Sequence, residues 1–118
     1  MAVLMSQKHG DVLVVYFNQA RLLEESTLQE VGRELLAFSD RCPSQKMLLN
    51  FEAVKFMSSA MLGKLVQLNK KCKQDEIKLK LCSIGDTMIP VFQMTRLDKV
   101  LDIKGNEEQA LKAFEAGV

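Results

Sequence analysis

Five stretches of the chain show the apolar patterns of β-strands. Residues 3–8 and 11–17 predict a hairpin whose turn, at His9-Gly10-Asp11, can use the positive φ of glycine. Residues 12–17 are apolar at every position, which indicates a strand buried on nearly both faces. In residues 77–81 apolar residues alternate with Lys78 and Lys80, which predicts one dry face, one wet face and a place near a sheet edge. Residues 46–51 and 100–103 are the two remaining predicted strands.

Two longer segments carry the three-to-four spacing of amphipathic helices. The first follows a capping box formed by Ser26 and Gln29, and it should end near Asp40, before the Cys42-Pro43 step. The second covers residues 59–72, with Ser58 as its N-cap. The apolar stripe of the first helix is Leu28, Val31, Leu35 and Phe38, and that of the second is Met61 or Leu62, Leu65, Val66 and Leu68.

Two shorter helices complete the pattern. Asp86-Thr87 can cap a helix that runs through Met94, provided that Pro90 lies in the first turn, where its missing N–H is no loss. Asn106 with Gln109 predicts the start of a terminal helix. The inner face of that terminal helix is expected to be Ala110, Leu111 and Phe114.

The element order is therefore ββαβαβαβα, which predicts an α/β fold. Alternation of strands and helices favours a mixed, largely parallel sheet of about five strands, with about four helices laid on it by right-handed crossovers. A chain of 118 residues with 47% hydrophobic content suits a single domain over residues 1–118.

Charge and hydropathy narrow the function classes. A formal net charge of +1 gives no reason to expect nucleic-acid binding, and no apolar run approaches the roughly 20 residues of a membrane span. The N-terminus lacks the basic start of a signal peptide, so we expect a cytoplasmic protein without membrane insertion. Lysines cluster between residues 64 and 80, either as a solvated surface or as an electrostatic guide for an acidic partner. These are Lys64, Lys70, Lys71, Lys73, Lys78 and Lys80.

Few residues could support catalysis or bind a metal. The single histidine, His9, lies in a predicted turn, where we expect it to be solvated, and no neighbour in the sequence completes a triad. Three cysteines without Cys-x-x-Cys spacing, Cys42, Cys72 and Cys82, indicate reduced thiols in or near the core. We therefore predict no catalytic residues, no metal site and no cofactor.

The serine pair before the second helix is the strongest candidate site. Ser58 is the natural N-cap and Ser59 falls in the first turn. Because the first N–H groups of a helix carry partial positive charge, a phosphate on Ser59 would be tolerated there. The alternative is that the pair does nothing more than cap the helix.

The strand, the Phe56-Met57 turn, the serines and the Leu62-Gly63 helix start resemble the signature of the STAS domain, the family of bacterial anti-sigma factor antagonists. In that family the turn reads Phe-hydrophobic-Asp-Ser-Ser-Gly-Leu-Gly, and the first serine is phosphorylated by an anti-sigma factor with serine kinase activity. The resemblance implies phosphorylation at Ser59, with Ser58 as second choice. Three positions depart from the family pattern: Ser58 replaces the aspartate, Ala60 the second serine and Met61 the glycine.

The resemblance implies an anti-sigma factor antagonist that works by partner switching, and the lack of a catalytic constellation predicts no enzymatic activity. Its binding surface should consist of Met57, Ser58, Ser59, Ala60, Met61 and Lys64, with exposed methionines providing adaptable apolar area. One alternative is a non-switching STAS scaffold subunit that assembles with copies or relatives, so oligomers are possible. Another is a small enzyme or ligand carrier, which the lack of a catalytic constellation disfavours.

Overall fold

A computed structural model describes residues 4–42 and 44–117. The element order, which confirms the predicted α/β class, is β1 (Leu4–His9), β2 (Val12–Phe17), β3 (Arg21–Leu22), α1 (Glu25–Asp40), β4 (Lys46–Asn50), β5 (Phe56–Met57), α2 (Ser59–Gln74), β6 (Lys78–Cys82), α3 (Ile89–Met94), α4 (Leu97–Val100), β7 (Ile103–Lys104) and α5 (Glu107–Glu115). Val3 and Pro43, which bear on two predicted boundaries, lie outside the described residues.

The main sheet has five strands in the order β1-β2-β4-β6-β7. β1 is antiparallel to β2, and every other neighbouring pair is parallel. β4 lies in the centre, and its Met47, Leu48 and Leu49 are wholly buried. The prediction of a mixed, largely parallel sheet is confirmed.

Helices cover both faces of the sheet. Val31 and Leu35 of α1 and Leu65 of α2 pack in the larger core cluster, with Val15 and Leu49 of the sheet. On the opposite face α5 places Ala110 and Phe114 in a smaller cluster. Apolar side chains of β2, β4 and β6 complete that smaller cluster: Val12, Val14, Leu48 and Cys82. The two-faced burial follows from the unbroken apolar runs of these strands.

Helix starts agree with the sequence where the cap is local. The Asn106 side-chain oxygen accepts a hydrogen bond of 2.8 Å from the Gln109 N–H, so the predicted cap of α5 is confirmed. The capping box at Ser26 is wrong, because α1 begins at Glu25 and Glu24 is its N-cap. The predicted cap at Asp86-Thr87 is also wrong, since Met88 is the N-cap of α3, although Pro90 does lie in the first turn. The actual N-cap residues, Glu24 and Met88, make no side-chain hydrogen bond to the helix, so no capping residue in the sequence marks these two helix starts.

The last predicted strand is displaced. Part of residues 100–103 belongs to α4, which the Leu101 N–H closes with a bond of 2.8 Å to the Leu97 carbonyl. β7 begins only at Ile103, where it pairs with Leu81 of β6. Lys80 of β6 is also unlike its prediction, because it is only 2% exposed and does not lie on a wet face.

Candidate functional site

A small second sheet, formed by β3 and β5, lies directly before the start of α2. β3 and β5 are parallel, with Leu22 opposite Met57, and the Ser58 N–H donates a 3.0 Å bond to the Leu22 carbonyl. This pairing joins the segment before α1 to the segment before α2. Backbone hydrogen bonds between β3 and the residues just before α2 therefore fix the position at which α2 begins.

Ser58 is the N-cap of α2, as predicted. Its backbone is extended, at φ −78° and ψ 165°, and its side-chain oxygen accepts a 3.3 Å hydrogen bond from the Met61 N–H. The Ser58 carbonyl accepts from the same N–H at 3.0 Å and from Leu62 at 3.2 Å. The Ser58 hydroxyl is half-buried and already serves the helix start.

Ser59 is the first residue of α2, and it is exposed. It stands at the amino end of a 16-residue helix, so the partial positive charge of the helix dipole lies beside it. Ala60, the next residue, and Gly63, about one turn further along the helix, are also exposed. A partner or an enzyme can thus reach the Ser59 hydroxyl without disturbing the cap.

The two methionines of the predicted binding surface are not exposed. Met57 is 8% exposed and Met61 is 0% exposed, because both side chains point into the larger core cluster. The expectation of an adaptable methionine surface is therefore wrong. Of the six predicted surface residues, Ser59 and Ala60 are exposed, and Ser58 and Lys64 are half-buried.

Two apolar residues outside the predicted binding surface are exposed near the start of α2, where the methionines are buried. Leu23 is 40% exposed and Phe56 is 44% exposed, and the guanidinium of Arg21 lies 5.5 Å from the centre of the Phe56 ring. Leu23 lines a shallow cavity of about 460 Å³ together with Ser58 and Ser59. In the sequence, Leu23 and Phe56 each belong to a short apolar pair beside polar residues, and this pattern alone does not place them at a surface.

Two lysines of the lysine-rich segment join neighbouring elements. Lys71 bonds Asp40 of α1 at 2.6 Å and Asp75 at 2.8 Å, and these two carboxylates raise the pKa of Lys71 above its usual range. Lys80 bonds Asp102 at 2.6 Å. Lys70, Lys73 and Lys78 are exposed, as expected of a solvated surface.

A polar cluster lies on the sheet face that α5 covers. The Tyr16 hydroxyl donates to Glu107 at 2.8 Å and lies 3.3 Å from His9 Nε2, which is 3.9 Å from the other Glu107 oxygen. Burial, with help from the Glu107 carboxylate, raises the pKa of Tyr16 to about 12. His9 is half-buried and has these two neighbours, so the expectation of a solvated turn residue is wrong. The Asn50 amide also donates to Glu107, at 3.0 Å, which gives this cluster a role in seating α5.

The three cysteines are buried and free, as predicted. Burial raises the pKa of the Cys72 and Cys82 thiols to about 11. Residues 4–42 and 44–117 contain no cluster of three or more histidine, cysteine or acidic side chains arranged to hold a metal. Within the same residues, no helix has the length and apolar character needed to cross a membrane.

The chain belongs to the STAS domain family, whose model matches residues 4–110. Its fold is shared with an anti-sigma factor antagonist (STAS) domain protein of Planctomyces limnophilus, at 25% identity, with 96% of this chain and 98% of the other covered and a TM-score of 0.78.

Two further solved structures share the fold. An anti-sigma factor antagonist of Mycobacterium paratuberculosis is 21% identical over 93% of this chain and 91% of its own, with a TM-score of 0.82. The Bacillus cell-fate determinant SpoIIAA in its phosphorylated form is 17% identical over 94% of this chain and 98% of its own, with a TM-score of 0.68.

Proposed function

We propose that this chain is an anti-sigma factor antagonist of a bacterial partner-switching pathway. In its unphosphorylated form it binds an anti-sigma factor with serine kinase activity, and phosphorylation of Ser59 breaks that complex. One observation carries the proposal: Ser59 is exposed at the start of α2 while its neighbour Ser58 is occupied as the N-cap. The Ser58 hydroxyl thus stabilises the helix start, and the Ser59 hydroxyl is available for phosphorylation.

Electrostatics explain why such a modification would alter binding more than folding. A phosphoserine adds about −1.5 to −2 charges at pH 7, and the amino end of a helix tolerates negative charge. The same charge would lie in the cavity that exposed Leu23 also lines, which a partner would cover. An unpaired charge enclosed in an apolar interface is costly, so the complex should dissociate while the free protein stays folded.

The relatives support a role of this kind. The Planctomyces limnophilus protein bears the description of an anti-sigma factor antagonist, and SpoIIAA of Bacillus has been observed in a phosphorylated form. A non-switching scaffold subunit is the second candidate. It is favoured by Met61, which is buried in the first turn of α2 at the position where the family pattern has glycine.

Intact mass spectrometry separates the two candidates. The purified chain is incubated with the anti-sigma factor kinase of the same organism and ATP, and Ser59→Ala and Ser58→Ala are treated in parallel. We expect one added phosphate on the wild type and on Ser58→Ala, and none on Ser59→Ala. Calorimetric titration should then show that Ser59→Ala binds the kinase as the wild type does and that Ser59→Asp binds it more weakly.

Phosphate on Ser58 would reassign the site. If the kinase modifies a known substrate but leaves the wild-type chain untouched, the scaffold role replaces the switch.

A further inference from the structure

A groove between α1 and α2 continues from Ser59 along both helices. It consists of two adjoining cavities of about 460 and 490 Å³ that share Gln29, Lys64 and Gln67 as lining residues. One cavity includes Ser59, and the other extends to Asp40 near the end of α1. We call this feature the α1–α2 groove. It reaches well beyond the residues of the proposed phosphorylation site.

The α1–α2 groove has small residues along its length and apolar residues at its ends. Ala37 lines it from α1 and Gly63 from α2, and a Cβ added at Gly63 would meet no atom within 4 Å, so that another backbone can approach closely there. Leu23 lies at the Ser59 end and is 40% exposed, and Leu36 lies at the other end and is 42% exposed. These features fit a partner helix that carries apolar side chains on one face.

The middle of the groove is lined by Lys64, whose ammonium group has no carboxylate partner among the described residues. Lys64 is half-buried, and no acidic side chain in residues 4–42 and 44–117 forms an ion pair with it. Its side chain lies against α1 at Gly32, where an added Cβ would stand 3.2 Å from the Lys64 amine. Lysine is strongly hydrated, so a partner that covers this amine needs a carboxylate to replace the lost water.

Two other charged residues that line the groove are already paired. Arg33 pairs with Glu30 at 2.7 Å, and Asp40 pairs with Lys71 at 2.6 Å. Glu25 is in the first turn of α1, where the helix dipole favours a negative charge. The charge that a partner must match is therefore the positive one at Lys64.

We propose that the α1–α2 groove receives an acidic amphipathic helix of the anti-sigma factor, with one carboxylate of that helix paired to Lys64. The inference rests on the proposed function and adds to it the site, the shape and the charge of the partner segment. It also gives the switch a geometric basis, because a phosphate on Ser59 would stand at the open end of the same groove and repel an acidic helix.

A charge reversal tests the pairing. Lys64→Glu is compared with Lys70→Glu, which makes the same change on an exposed residue of the same helix outside the groove. Association with the purified anti-sigma factor kinase is measured at low and at physiological salt. We expect Lys64→Glu to slow association about tenfold or more at low salt and to flatten its salt dependence. Lys70→Glu should have a smaller effect at low salt and stay within about twofold of the wild type at physiological salt, where exposed charges more than about 8 Å apart are largely screened. Equal effects of the two changes would overturn the proposal.

A steric change tests the occupancy of the groove. An added Cβ at Gly63 meets no atom within 4 Å, so Gly63→Leu fills the groove without straining the fold. Gln74→Leu adds the same side chain to α2 outside the groove and serves as the control. We expect Gly63→Leu to lose at least tenfold in affinity for the kinase while Gln74→Leu retains wild-type affinity. Circular dichroism checks that both variants are folded.

The outcomes also separate this inference from the function on which it rests. If the wild type neither binds the kinase nor is phosphorylated by it, the proposed function fails and the groove proposal fails with it. If the wild type binds and Ser59 is modified, but Lys64→Glu and Gly63→Leu behave like their controls, only the groove proposal fails. Self-association of the wild type that Gly63→Leu abolishes would assign the groove to a second copy of the chain and overturn the acidic helix.

Discussion

The Lys80 amine lies 2.6 Å from a carboxylate oxygen of Asp102, although the Lys80 side chain is only 3% exposed. The amine also lies 5.1 Å from the centre of the Phe114 ring of α5, and Lys104 approaches the other Asp102 oxygen at 3.2 Å. Burial alone would raise the pKa of Asp102, but hydrogen bonds from Lys80 and Lys104 hold it below its usual range. The ion pair joins β6 to the residue just before β7, and the ring contact joins β6 to α5.

Replacing this carboxylate should destabilise the fold. Asp102→Asn leaves the Lys80 ammonium in a buried position without its charged partner, and we expect a loss of about 1–3 kcal/mol at pH 7 in urea unfolding. Asp11→Asn is the control, since it removes the partner of Lys46 in an ion pair whose Asp11 side chain is 63% exposed. A small change is expected there, because exposed ion pairs contribute little. Equal losses in the two variants would show that the burial of Lys80 has no energetic consequence.

The same pair predicts a pH dependence. Because folding lowers the pKa of Asp102, its stabilising effect is complete above the unfolded-state value, about 3.9, and is lost as the pH falls toward the folded value. The difference in unfolding free energy between wild type and Asp102→Asn should therefore be constant from pH 7 to about pH 5 and shrink below about pH 4. A difference that grows on acidification would contradict this assignment.

The burial of Lys80 could not be predicted from the sequence. Alternation in residues 77–81 identifies a strand, and β6 is there, but alternation cannot say what covers its outer face. The cover comes from Phe114, more than thirty positions later, and the counter-charge from Asp102. Both caps that were predicted correctly, Ser58 and Asn106, are instead decided within three residues of the helix start.

The candidate site divides in the same way. The exposure of Ser59 and the capping role of Ser58 follow from local chemistry, and the structure has both. The periodicity of α2 could place Met61 or Leu62 on the inner face, and the structure buries both, which removes the predicted methionine surface. Arg21 and Phe56 come together only because β3 pairs with β5, a contact between strands of two residues each that no periodicity could reveal.

The buried face of α2 gives a direct test of the core. Leu65 is 0% exposed and packs in the larger cluster, so Leu65→Ala should cost about 2–5 kcal/mol of unfolding free energy. Gln67→Ala, on the exposed side of the same helix, should change it by less than about 0.5 kcal/mol. Denaturant titration of both variants measures the difference. Similar values for the two would mean that the inner face of α2 is wrongly assigned.

The thiols should be unreactive while the protein is folded. Burial raises the pKa of Cys72 and Cys82 to about 11, and Cys82 is wholly buried. At pH 8 little thiolate forms, so a colorimetric disulfide reagent should react slowly with native protein and fast with all three cysteines in denaturant. Fast reaction of the native protein at Cys72 of α2 or Cys82 of β6 would show that the core opens readily at that position. Peptide mapping of the modified sites identifies the reacting thiols.

The serine pair provides the last test, because substitution of its two members should affect stability differently. Ser58→Ala removes a capping acceptor and should cost about 0.5–2 kcal/mol of stability, toward the lower end, since the 3.3 Å bond is long. Ser59→Ala should leave stability nearly unchanged, because Ser59 is exposed at the first helical position. Ser59→Asp should be neutral or slightly stabilising, by up to about 1 kcal/mol, as the helix dipole favours a carboxylate there.

Thermal and urea unfolding of the free protein measure all three variants, with no partner present. If Ser59→Ala proves as destabilising as Ser58→Ala, Ser59 contributes to the cap and is not available for regulation alone. Destabilisation by Ser59→Asp would mean that negative charge disturbs the start of α2. In that case a phosphate would act on the fold itself, and the loss of partner binding could no longer be attributed to charge at an interface.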